Sequence, residues 1–404
     1  MSTRDGTSRL GSVMRIVASM DDCAAPPWEE LIGVGPAGSG GTAVCEALSG
    51  KRILVTGAGG SIGSALAAAA WASRPAGLVL LDTSENGLYQ VDRSLHEAGS
   101  HEHVSVLGSV CDAEALEELL ERHRPQIIFH AAALKHVPLM ERNPFAAIEN
   151  NALGTYTLAR AAAAHGVEHL VLASTDKAVD PVSIMGASKR IAELVLLALG
   201  SASTRMSAVR LCNVMGSQGS VLPLFLEQIA AGGPLTVTDR GACRYFITVE
   251  RAVESLVEAL TSHLHSQPDA RILVGEPGSA VRILDLAEHL IRAHASSATI
   301  EFTGLRPGDK LSERVLSSRE RLATEGHIGG SGLRAIESPS ASRDAVQAAL
   351  QELQEAVRAR DLGRLLRGVL AVVPEYRPSE VIDATLGVAV AEYASSEMAS
   401  VMQA

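Results

Sequence analysis

The chain has 404 residues, of which 47% are hydrophobic and 20% are charged, and its formal net charge is −11. A chain of this length holds about two domains with extensions, and its acidic charge disfavours nucleic acid and anionic membranes as partners. The five cysteines are widely spaced and include no CxxC pair, so we expect no disulfide framework, no metal site and a reducing, cytoplasmic location.

Residues 1–49 are rich in Ser, Gly, Ala and Pro and are predicted to form a flexible amino-terminal arm. Within this arm, the apolar segment Trp28–Ile32 could form a helical turn that docks on the rest of the protein. The start of the chain lacks the continuous apolar core of a secretory signal. No apolar run reaches the length of a membrane span, so we expect none.

Between residues 50 and 215, short apolar runs alternate with helical patterns. The predicted strands are 53–55, 78–81, 104–107, 127–129, 169–173 and 208–211, and the predicted helices include 114–122, 146–165 and 189–199. Strands that are buried on both faces are apolar throughout, so this alternation is typical of a parallel sheet with helices on both sides. We therefore predict a doubly wound α/β fold for residues 50–215.

After residue 215 the alternation is looser, and Gly and Pro are frequent. Residues 216–335 are predicted to form a smaller domain that binds substrate, with short strands at 235–238 and 299–302. Part of 240–265 is predicted to pack back on the first domain. Residues 336–404 are predicted to be a helical carboxyl-terminal extension, because 340–370 has a charged amphipathic pattern.

A glycine-rich turn follows the first predicted strand and precedes a helix. Its four glycines, Gly57, Gly59, Gly60 and Gly63, permit a tight turn and a close approach of the backbone to a pyrophosphate at the helix amino terminus. Asp82 ends the next strand, 19 residues after Gly63, where a carboxylate accepts both hydroxyls of a ribose. These features predict a Rossmann-type site that prefers NAD, since the carboxylate repels the 2′-phosphate of NADP. The alternatives are a turn without a ligand and a capping role for Asp82.

Four polar residues, Ser174, Thr175, Asp176 and Lys177, directly follow the predicted strand 169–173. In open parallel sheets the active crevice lies at the carboxyl ends of the strands. A hydroxyl, a carboxylate and an amine at that edge offer an acid, a base and an orienting group. The alternative interpretation is an ordinary polar turn with a helix cap.

Other residues near the predicted crevice each have two interpretations. Met185 and Lys189 are four residues apart and so lie on one helix face, but Met is usually a core residue and Lys is usually solvated. The small residues in His130–Ala133 would let the chain pass beneath a cofactor or serve helix packing. Asn151 would fix a backbone kink or a water, or be an ordinary solvated helix residue.

With these residues in view, the chain resembles the nucleotide-sugar 4,6-dehydratases of bacterial polysaccharide biosynthesis, within the extended short-chain dehydrogenase/reductase superfamily. The resemblance covers about residues 28–380 in family order. The matching segments are Thr56–Gly63 (TGAGGSIG), His130–Glu141 (HAAALKHVPLME), Ser174–Val179 (STDKAV), Met185–Arg190 (MGASKR), Arg210–Ser217 (RLCNVMGS), Ser220–Phe225 (SVLPLF), Arg244–Thr248 (RYFIT), Gly304–Leu311 (GLRPGDKL) and Val373–Pro378 (VPEYRP).

The resemblance implies a specific chemistry. Bound NAD⁺ takes a hydride from C4 of a UDP-linked N-acetylhexosamine, and the resulting ketone acidifies the proton on C5. Lys177 would remove that proton, Asp176 would protonate the departing C6 hydroxyl, and the hydride would return to C6. The substrate implied is UDP-N-acetylglucosamine, and the NAD would stay tightly bound and be regenerated in each turnover.

The resemblance also implies roles for individual residues. Thr175, Asp176, Lys177, Met185 and Lys189 are assigned to catalysis, and Lys189 also to the nicotinamide ribose. The cofactor contacts are assigned to Gly57, Gly59, Gly60, Ser61, Ile62, Gly63, Asp82, Ser84, Asp112, Ala131 and Ala132. The substrate contacts are assigned to Lys135, Asn213, Arg244 and Arg306, with the two arginines as candidates for the pyrophosphate. The alternative for each arginine is a surface ion pair.

Two departures from the superfamily pattern are visible. Met185 stands where most short-chain dehydrogenases have Tyr, and its thioether cannot transfer a proton. A branch of the dehydratases shares this Met, so that Thr175, a water or Lys177 must take the proton of the C4 hydroxyl. Ser109 stands where relatives usually carry Asp, which puts an adenine contact there in doubt.

Two rival functions remain open at this point. A C4 or C5 epimerase would use the same 4-keto intermediate, and Met185 is also compatible with an NAD-binding scaffold that has no catalytic activity. Retention or inversion at C5 depends on geometry that the sequence does not contain. The resemblance suggests a homo-oligomer, a dimer or larger.

Overall fold

The structure, a computed structural model, describes residues 41–100, 102–260, 270–323, 332–339 and 341–387. Most of the predicted flexible arm, including Trp28–Ile32, and the end of the predicted carboxyl-terminal extension lie outside the described residues. Among the described residues, no helix is long and apolar enough to cross a lipid bilayer.

The strands of the described residues follow the predicted positions and add several short pairs. They are β1 (Arg52–Thr56), β2 (Gly77–Asp82), β3 (Val104–Leu107), β4 (Ile127–His130), β5 (His169–Thr175), β6 (Arg205–Leu211), β7 (Asn213–Val214), β8 (Leu235–Val237), β9 (Cys243–Arg244), β10 (Phe246–Ile247), β11 (Ala270–Val274), β12 (Val281–Arg282), β13 (Ile300–Phe302), β14 (Arg321–Leu322) and β15 (Arg334–Glu337).

The helices connect these strands. They are α1 (Gly41–Leu48), α2 (Ser61–Ala72), α3 (Glu85–Glu97), α4 (Ala113–His123), α5 (Val137–Glu141), α6 (Pro144–Ala147), α7 (Gly154–Ala164), α8 (Ile184–Leu199), α9 (Val221–Ala230), α10 (Val249–Glu258), α11 (Ile283–Ala293), α12 (Arg343–Ala359) and α13 (Leu362–Val372). A π-helical segment, Ile148–Leu153, joins α6 to α7, and a 3₁₀ turn, Asp176–Ala178, follows β5.

In the part of the chain that the structure describes, nine strands form the main sheet, in the order β14-β15-β11-β6-β5-β4-β1-β2-β3. The seven strands from β11 to β3 are parallel, while β15 and β14 are antiparallel additions at one edge. The strand order reverses between β1 and β4, and ligands bind at such a switch point in open α/β sheets. The predicted Rossmann-type doubly wound fold is confirmed.

Alternate residues of the central strands enter two different cores, so the sheet is covered on both faces. Ile53 and Val55 pack with α2 and α10, whereas Leu54 lies in the opposite core with residues of α7, α8, α12 and α13. This division explains the uninterrupted apolar runs, because every side chain of a central strand is buried on one face or the other.

The predicted domain boundaries are less distinct in the structure than in the sequence. The range 216–335 contributes β11, β14 and the start of β15 to the main sheet, because β11 pairs with β6. The other elements of this range build a separate small core, in which Phe225 and Leu290 are fully buried. Helix α10, within the predicted 240–265 segment, packs on the main sheet's second core. The division into domains stays a prediction.

The last residues of the predicted flexible arm form helix α1 instead. Leu48 is 0% exposed and Val44 is buried, and both pack in the core that also contains α2 and α10. Only two large apolar residues, Val44 and Leu48, stand in this eight-residue helix, and the small and polar residues between them conceal its amphipathic face in a segment of low complexity. The prediction of flexibility for residues 41–48 is therefore wrong.

A buried ion network lies beneath the carboxyl ends of β5 and β6. Arg210 donates to both oxygens of Glu193 (2.9 and 2.8 Å) and to both oxygens of Glu320 (2.7 and 2.9 Å). Arg190 adds a second guanidinium, 2.9 Å from Glu193, and Ser174 donates to Glu193 at 2.7 Å. The network therefore connects the strand that precedes the polar run Thr175–Lys177 with α8, β6 and the 313–320 loop.

The charges in this network stabilise one another strongly. Burial alone raises the pKa of Glu320, but its bonds to Arg210 outweigh burial and lower the pKa to about 2. Burial alone lowers the pKa of Arg210, and the charges of the two glutamates raise it above its ordinary value. All three groups are therefore ionised at neutral pH, although they are nearly inaccessible to water.

A second set of buried hydrogen bonds joins β1 and β4 to the start of α7, directly after the π-helical segment. His130 is 1% exposed; its Nδ1 is 2.8 Å from Thr56 Oγ1 and its Nε2 is 2.9 Å from Thr155 Oγ1. Thr155 donates its hydroxyl proton to the carbonyl of Asn151 at 2.7 Å. It must therefore accept from Nε2–H, which assigns the tautomer of His130. Burial, assisted by the charge of Lys189, lowers the pKa of His130 to about 3.

The substitution Arg210→Met should destabilise the protein by about 3–5 kcal/mol, because it leaves Glu193 and Glu320 buried without their main counter-charge. Urea denaturation measures the loss. Arg282→Met is the control, since Arg282 pairs with Asp285 on the surface and both side chains are about half exposed. It should leave the free energy of unfolding nearly unchanged. Equal losses in both variants would contradict a dominant role for the buried network.

The free energy of unfolding should decrease as the pH falls from about 6.5 towards about 3, partly because unfolded His130 binds a proton that folded His130 excludes. The contribution is up to about 1.4 kcal/mol per pH unit in that window. His130→Gln should flatten the dependence between pH 4 and about 6.5. The same change at the exposed His294 is the control, and an unaltered slope in His130→Gln would refute the assignment.

Candidate active site

The glycine turn after β1 is as tight as its sequence predicts. Gly57 has φ +70°, and a Cβ at this position would lie 2.4 Å from the backbone nitrogen of Ala132. A Cβ on Gly63 would lie 1.9 Å from the carbonyl oxygen of Gly57. The chain thus needs glycine here to bring the amino terminus of α2 against the loop after β4.

Helix α2 begins with backbone N–H groups that no side chain caps. Its N-cap is Gly60, and the first helical residues are Ser61 and Ile62. Anions bind readily at such a terminus, because the N–H groups and the helix dipole both favour negative charge. The arrangement can hold the pyrophosphate of a dinucleotide.

Asp82 lies at the end of β2, beside the turn. Its Oδ2 accepts from the N–H of Gly59 at 2.8 Å, and its Oδ1 accepts from the N–H of Ser84 at 2.8 Å. The carboxylate therefore fixes the turn, as the capping alternative suggested. Each oxygen keeps a further lone pair for a ribose hydroxyl, so the two interpretations are compatible.

Two other residues assigned to the cofactor act as helix N-caps in the structure. The side chain of Ser84 accepts from Gly87 N–H at the start of α3, and that of Asp112 accepts from Ala115 N–H at the start of α4. Both residues are exposed. Ala131 and Ala132 lie after β4, with Ala131 N–H donating to the carbonyl of Thr56 at 3.0 Å, so this loop borders the glycine turn.

The polar run after β5 forms a chain of hydrogen bonds. Lys177 Nζ donates to Asp176 Oδ1 at 3.0 Å and to Asn213 Oδ1 at 2.9 Å, and Thr175 Oγ1 also donates to Asp176 Oδ1 at 3.0 Å. Asp176 is fully buried, and its Oδ2 has no hydrogen-bond partner among the described residues. Lys177 is 22% exposed. An acid–base pair is therefore assembled at the carboxyl edge of the sheet.

Electrostatics keep the proton on Lys177 in this arrangement. Burial alone lowers its pKa, but the negative charges of Asp176 and Glu313 outweigh burial, so the pKa is raised above the ordinary 10.5. The ammonium of Lys177 and the carboxylate of Asp176 form an ion pair at neutral pH. Lys177 must lose its proton before it can act as a base.

The two residues predicted on one face of α8 have different environments. Met185 is 3% exposed and packs in the large core that α8 shares with α7 and α12, as its core alternative predicted. Lys189 is also buried, and Nζ has no protein hydrogen bond among the described residues. Burial lowers the pKa of Lys189 to about 8, so the ammonium form still predominates at pH 7. Its charge acts on His130, which lies at the end of β4.

Asn151 is a buried positioning residue and does not face solvent. It lies in the π-helical segment and bonds to the N–H of Leu134 at 2.8 Å and to its carbonyl at 2.9 Å. Its amide also donates to Ser188 on α8 at 3.0 Å. Asn151 thereby holds the loop after β4 next to α8, and of its two interpretations the backbone role is the one observed.

The four residues assigned to the substrate divide into two groups. Asn213 contacts Lys177 directly, and Arg244 lies close enough for its charge to lower the pKa of Lys177. The guanidinium of Arg244 donates to the carbonyls of Cys243, Leu311 and Lys310 and has no carboxylate partner among the described residues. It thus remains a net positive charge beside the acid–base pair.

The other two residues assigned to the substrate, Arg306 and Lys135, lie farther towards solvent. The exposed side chain of Arg306 forms an ion pair with Asp309 at 2.7 Å, which is the alternative that the sequence left open for it. Lys135 is exposed and donates to the carbonyl of Gln218 at 2.6 Å, while Gln218 N–H donates to Ser61 Oγ at 3.0 Å. Lys135 thus connects the loop after β4 with the loop that covers the start of α2.

Sequence reasoning missed two groups beside the pair. Glu313 is 5% exposed; its Oε2 lies 3.2 Å from Lys310 Nζ, which also donates to the carbonyl of Val179 at 2.6 Å. The thiol of Cys212 has its pKa raised to about 12, by burial first and then by the charge of Asp176. Glu313 lies two residues after the end of the matched segment Gly304–Leu311, and that proximity was the available signal.

Comparison with known proteins agrees with this architecture. Residues 53–329 match the family described as polysaccharide biosynthesis protein. The chain is 42% identical over 314 residues to the probable polysaccharide biosynthesis protein EpsC of Bacillus subtilis, covering 74% of this chain and 51% of EpsC. The chain therefore spans about half the length of that relative.

Two further comparisons concern proteins with named reactions. A UDP-glucose 4-epimerase of Rickettsia typhi is 31% identical over 289 residues, which are 69% of this chain and 81% of the epimerase. The solved structure of DesIV, a dTDP-glucose 4,6-dehydratase from Streptomyces venezuelae with NAD and TYD bound, has a TM-score of 0.56 and 24% identity and covers 65% of this chain and 87% of DesIV. This last likeness shows the fold alone. On these matches, the chain belongs to the polysaccharide biosynthesis protein family, within the extended short-chain dehydrogenase/reductase superfamily.

Proposed function

We propose that this protein is an NAD-dependent dehydratase that converts a UDP-linked N-acetylhexosamine, UDP-N-acetylglucosamine foremost, to the 4-keto-6-deoxy sugar. The observation that carries the proposal is the hydrogen-bonded pair of Asp176 and Lys177, 3.0 Å apart at the carboxyl end of β5. This edge adjoins the switch point between β1 and β4, where the glycine turn lies.

NAD is the cofactor proposed for the turn. The uncapped start of α2 suits its pyrophosphate, Asp82 suits the adenosine ribose, and the ammonium of Lys189 suits the nicotinamide ribose. When bound, NAD would accept a hydride from C4 of the sugar and return it to C6. It would therefore leave each turnover unchanged.

The first proton to move is that of the C4 hydroxyl. Thr175 is the proposed relay, because its Oγ1 already donates to Asp176 Oδ1 and can accept a proton from the sugar while passing its own to the carboxylate. Asp176 thereby becomes a carboxylic acid. This route needs no proton transfer by Met185, which has no group capable of it.

The elimination then uses both members of the pair. Lys177, after losing its proton to solvent, takes the proton from C5, while Asp176 gives its proton to the C6 oxygen, which leaves as water. The pair returns to ammonium and carboxylate. Lys177 would then reprotonate C5 as hydride is returned to C6 and would regain from solvent the proton that it lost at the start, so the only net loss from the sugar is one water.

Arg244 is the proposed contact for the UDP pyrophosphate. Its guanidinium is held by three backbone carbonyls and is not neutralised by a described carboxylate, which leaves its charge for an anion. This local charge offsets the unfavourable field of an acidic chain.

An epimerase is the alternative, and the similarity to the Rickettsia typhi epimerase supports it. Inverting C4 requires hydride transfer and one proton shuttle, which Thr175 alone could serve. The specific observation that favours dehydration is that the side chains of Asp176 and Lys177 lie next to each other. Elimination needs an acid and a base together, and this pair offers both.

Incubation of the purified protein with UDP-N-acetylglucosamine in D₂O should yield a product that has lost one water. It should carry solvent deuterium at C5, because the ammonium of Lys177 exchanges its protons with solvent before it reprotonates C5, and mass spectrometry reads both changes. Asp176→Asn and Lys177→Met should each lower the rate by about 10²–10⁴-fold, because each removes one proton transfer. In Lys177→Met, NADH should accumulate and its absorbance should rise, since C4 oxidation precedes the blocked step.

Lys51→Met is the matched control, since Lys51 pairs with Glu168 at the amino edge of the sheet, and it should retain full turnover. A product of unchanged mass with a new sugar isomer would establish the epimerase instead. Undiminished water loss in both pair variants would refute the proposed mechanism. A panel of UDP-, GDP- and dTDP-sugars tests the choice of nucleotide.

Glu313→Gln should shift the ascending limb of the pH–rate profile for dehydration, where the rate rises as Lys177 loses its proton, to lower pH. The reason is that the charge of Glu313 raises the pKa of Lys177, so its removal lets Lys177 lose its proton more easily. The profile of kcat against pH measures the shift. The same substitution at the exposed Glu301 should leave the limb in place, and an unshifted limb in Glu313→Gln would exclude this electrostatic role.

A further inference from the structure

A cluster of two imidazoles and a carboxylate lies away from the candidate active site. Asp92 and His96 are one turn apart on α3, and His103 directly precedes β3. The active site occupies the carboxyl ends of the parallel strands, whereas His103 is at the amino end of one. The cluster therefore belongs to the opposite edge of the sheet.

The potential ligand atoms of this cluster converge. His103 Nε2 lies 3.0 Å from Asp92 Oδ1, and His96 Nε2 lies 3.6 Å from Asp92 Oδ2. One ligand atom from each of the three residues lies within 4.8 Å of the others. A zinc ion bonded at about 2.0–2.1 Å to tetrahedral ligands would separate those atoms by roughly 3.3 Å, so the most widely separated pair would have to close by up to about 1.5 Å.

The surrounding hydroxyls hold these ligands in place. Ser100 Oγ lies 2.9 Å from His103 Nδ1, and Ser105 donates to Asp92 Oδ1 at 2.6 Å. A histidine that binds a metal through one nitrogen usually bonds through the other to an oxygen, which fixes its ring and tautomer. His103 has such a partner and is 1% exposed, so its ring is already oriented towards Asp92.

We propose that Asp92, His96 and His103 form a structural site for a divalent transition metal, with Zn²⁺ as the preferred ion. Two imidazole nitrogens and one carboxylate oxygen suit Zn²⁺, whereas Mg²⁺ and Ca²⁺ prefer oxygen ligands alone. Because His96 and Asp92 are partly exposed, a water can complete the tetrahedron.

The metal would join α3 to the start of β3. Helix α3 also supports the cofactor turn, since a Cβ on Gly59 would lie 2.7 Å from the carbonyl carbon of Gly87 on this helix. The site would thus stabilise the helix behind the glycine turn without contacting the reacting groups. The spacing of the cysteines predicted no metal site, and cysteine spacing carries no information about a site built from two histidines and an aspartate.

The test uses the untagged full-length protein, stripped with a chelator and titrated with Zn²⁺ alone. We expect one tightly held equivalent of zinc by elemental analysis after gel filtration, and a Tm that rises with added zinc and not with added Mg²⁺. His96→Gln and Asp92→Asn should each weaken zinc binding at least tenfold, since each removes a ligand.

His165→Gln is the matched control, because His165 pairs with Glu117 at 2.5 Å but is not part of the three-ligand cluster. Its zinc affinity should equal that of the unsubstituted protein. His96 is about half exposed, so its replacement is expected to leave the fold intact. The proposal is overturned if the unsubstituted protein retains no zinc, if His96→Gln binds zinc as tightly, or if His165→Gln weakens binding equally.

Discussion

The buried carboxylate of Glu193 is the point on which the active-site edge of the sheet depends. It accepts from Ser174 on β5, Arg190 on α8 and Arg210 on β6, and Arg210 passes the connection on to Glu320. Removing one partner from such a network leaves an uncompensated charge in a medium of low polarity, which is costly. The residue after Ser174 begins the polar run Thr175–Lys177, so the network holds in one place the backbone of the residues proposed to act in catalysis.

The same edge contains both halves of the proposed chemistry. The strand order reverses between β1 and β4, which opens the crevice for a dinucleotide, and β5 lies beside β4. Parallel strands all end at one edge, so the glycine turn and the acid–base pair become neighbours although more than 100 residues separate them. Asn213 and Glu313 reach the pair from the short strands and loops that follow β6.

The loop 304–313 connects the small core to the segment that follows β5, which contains the 3₁₀ turn Asp176–Ala178. Lys310 donates to the carbonyl of Val179 and pairs with Glu313, while the carbonyls of Lys310 and Leu311 hold Arg244. A single loop thus sets the position of the positive charge of Arg244 and of the negative charge of Glu313, which acts on Lys177.

The amino-acid sequence by itself determined the parallel α/β fold and the glycine turn, because both depend on local patterns: apolar runs of strand length, and glycines where a Cβ would collide with backbone. It also indicated Asp176 and Lys177, through their position after a strand. It did not determine that β11, β14 and β15 complete the main sheet, or that residues 41–48 are a packed helix. Nor did it reveal that Arg306 pairs with Asp309 whereas no described carboxylate pairs with Arg244, or that Glu313 acts on Lys177. Those outcomes depend on contacts between residues far apart in the chain, and only the tertiary structure decided them, since a side chain's charge partners and burial are set by what packs against it.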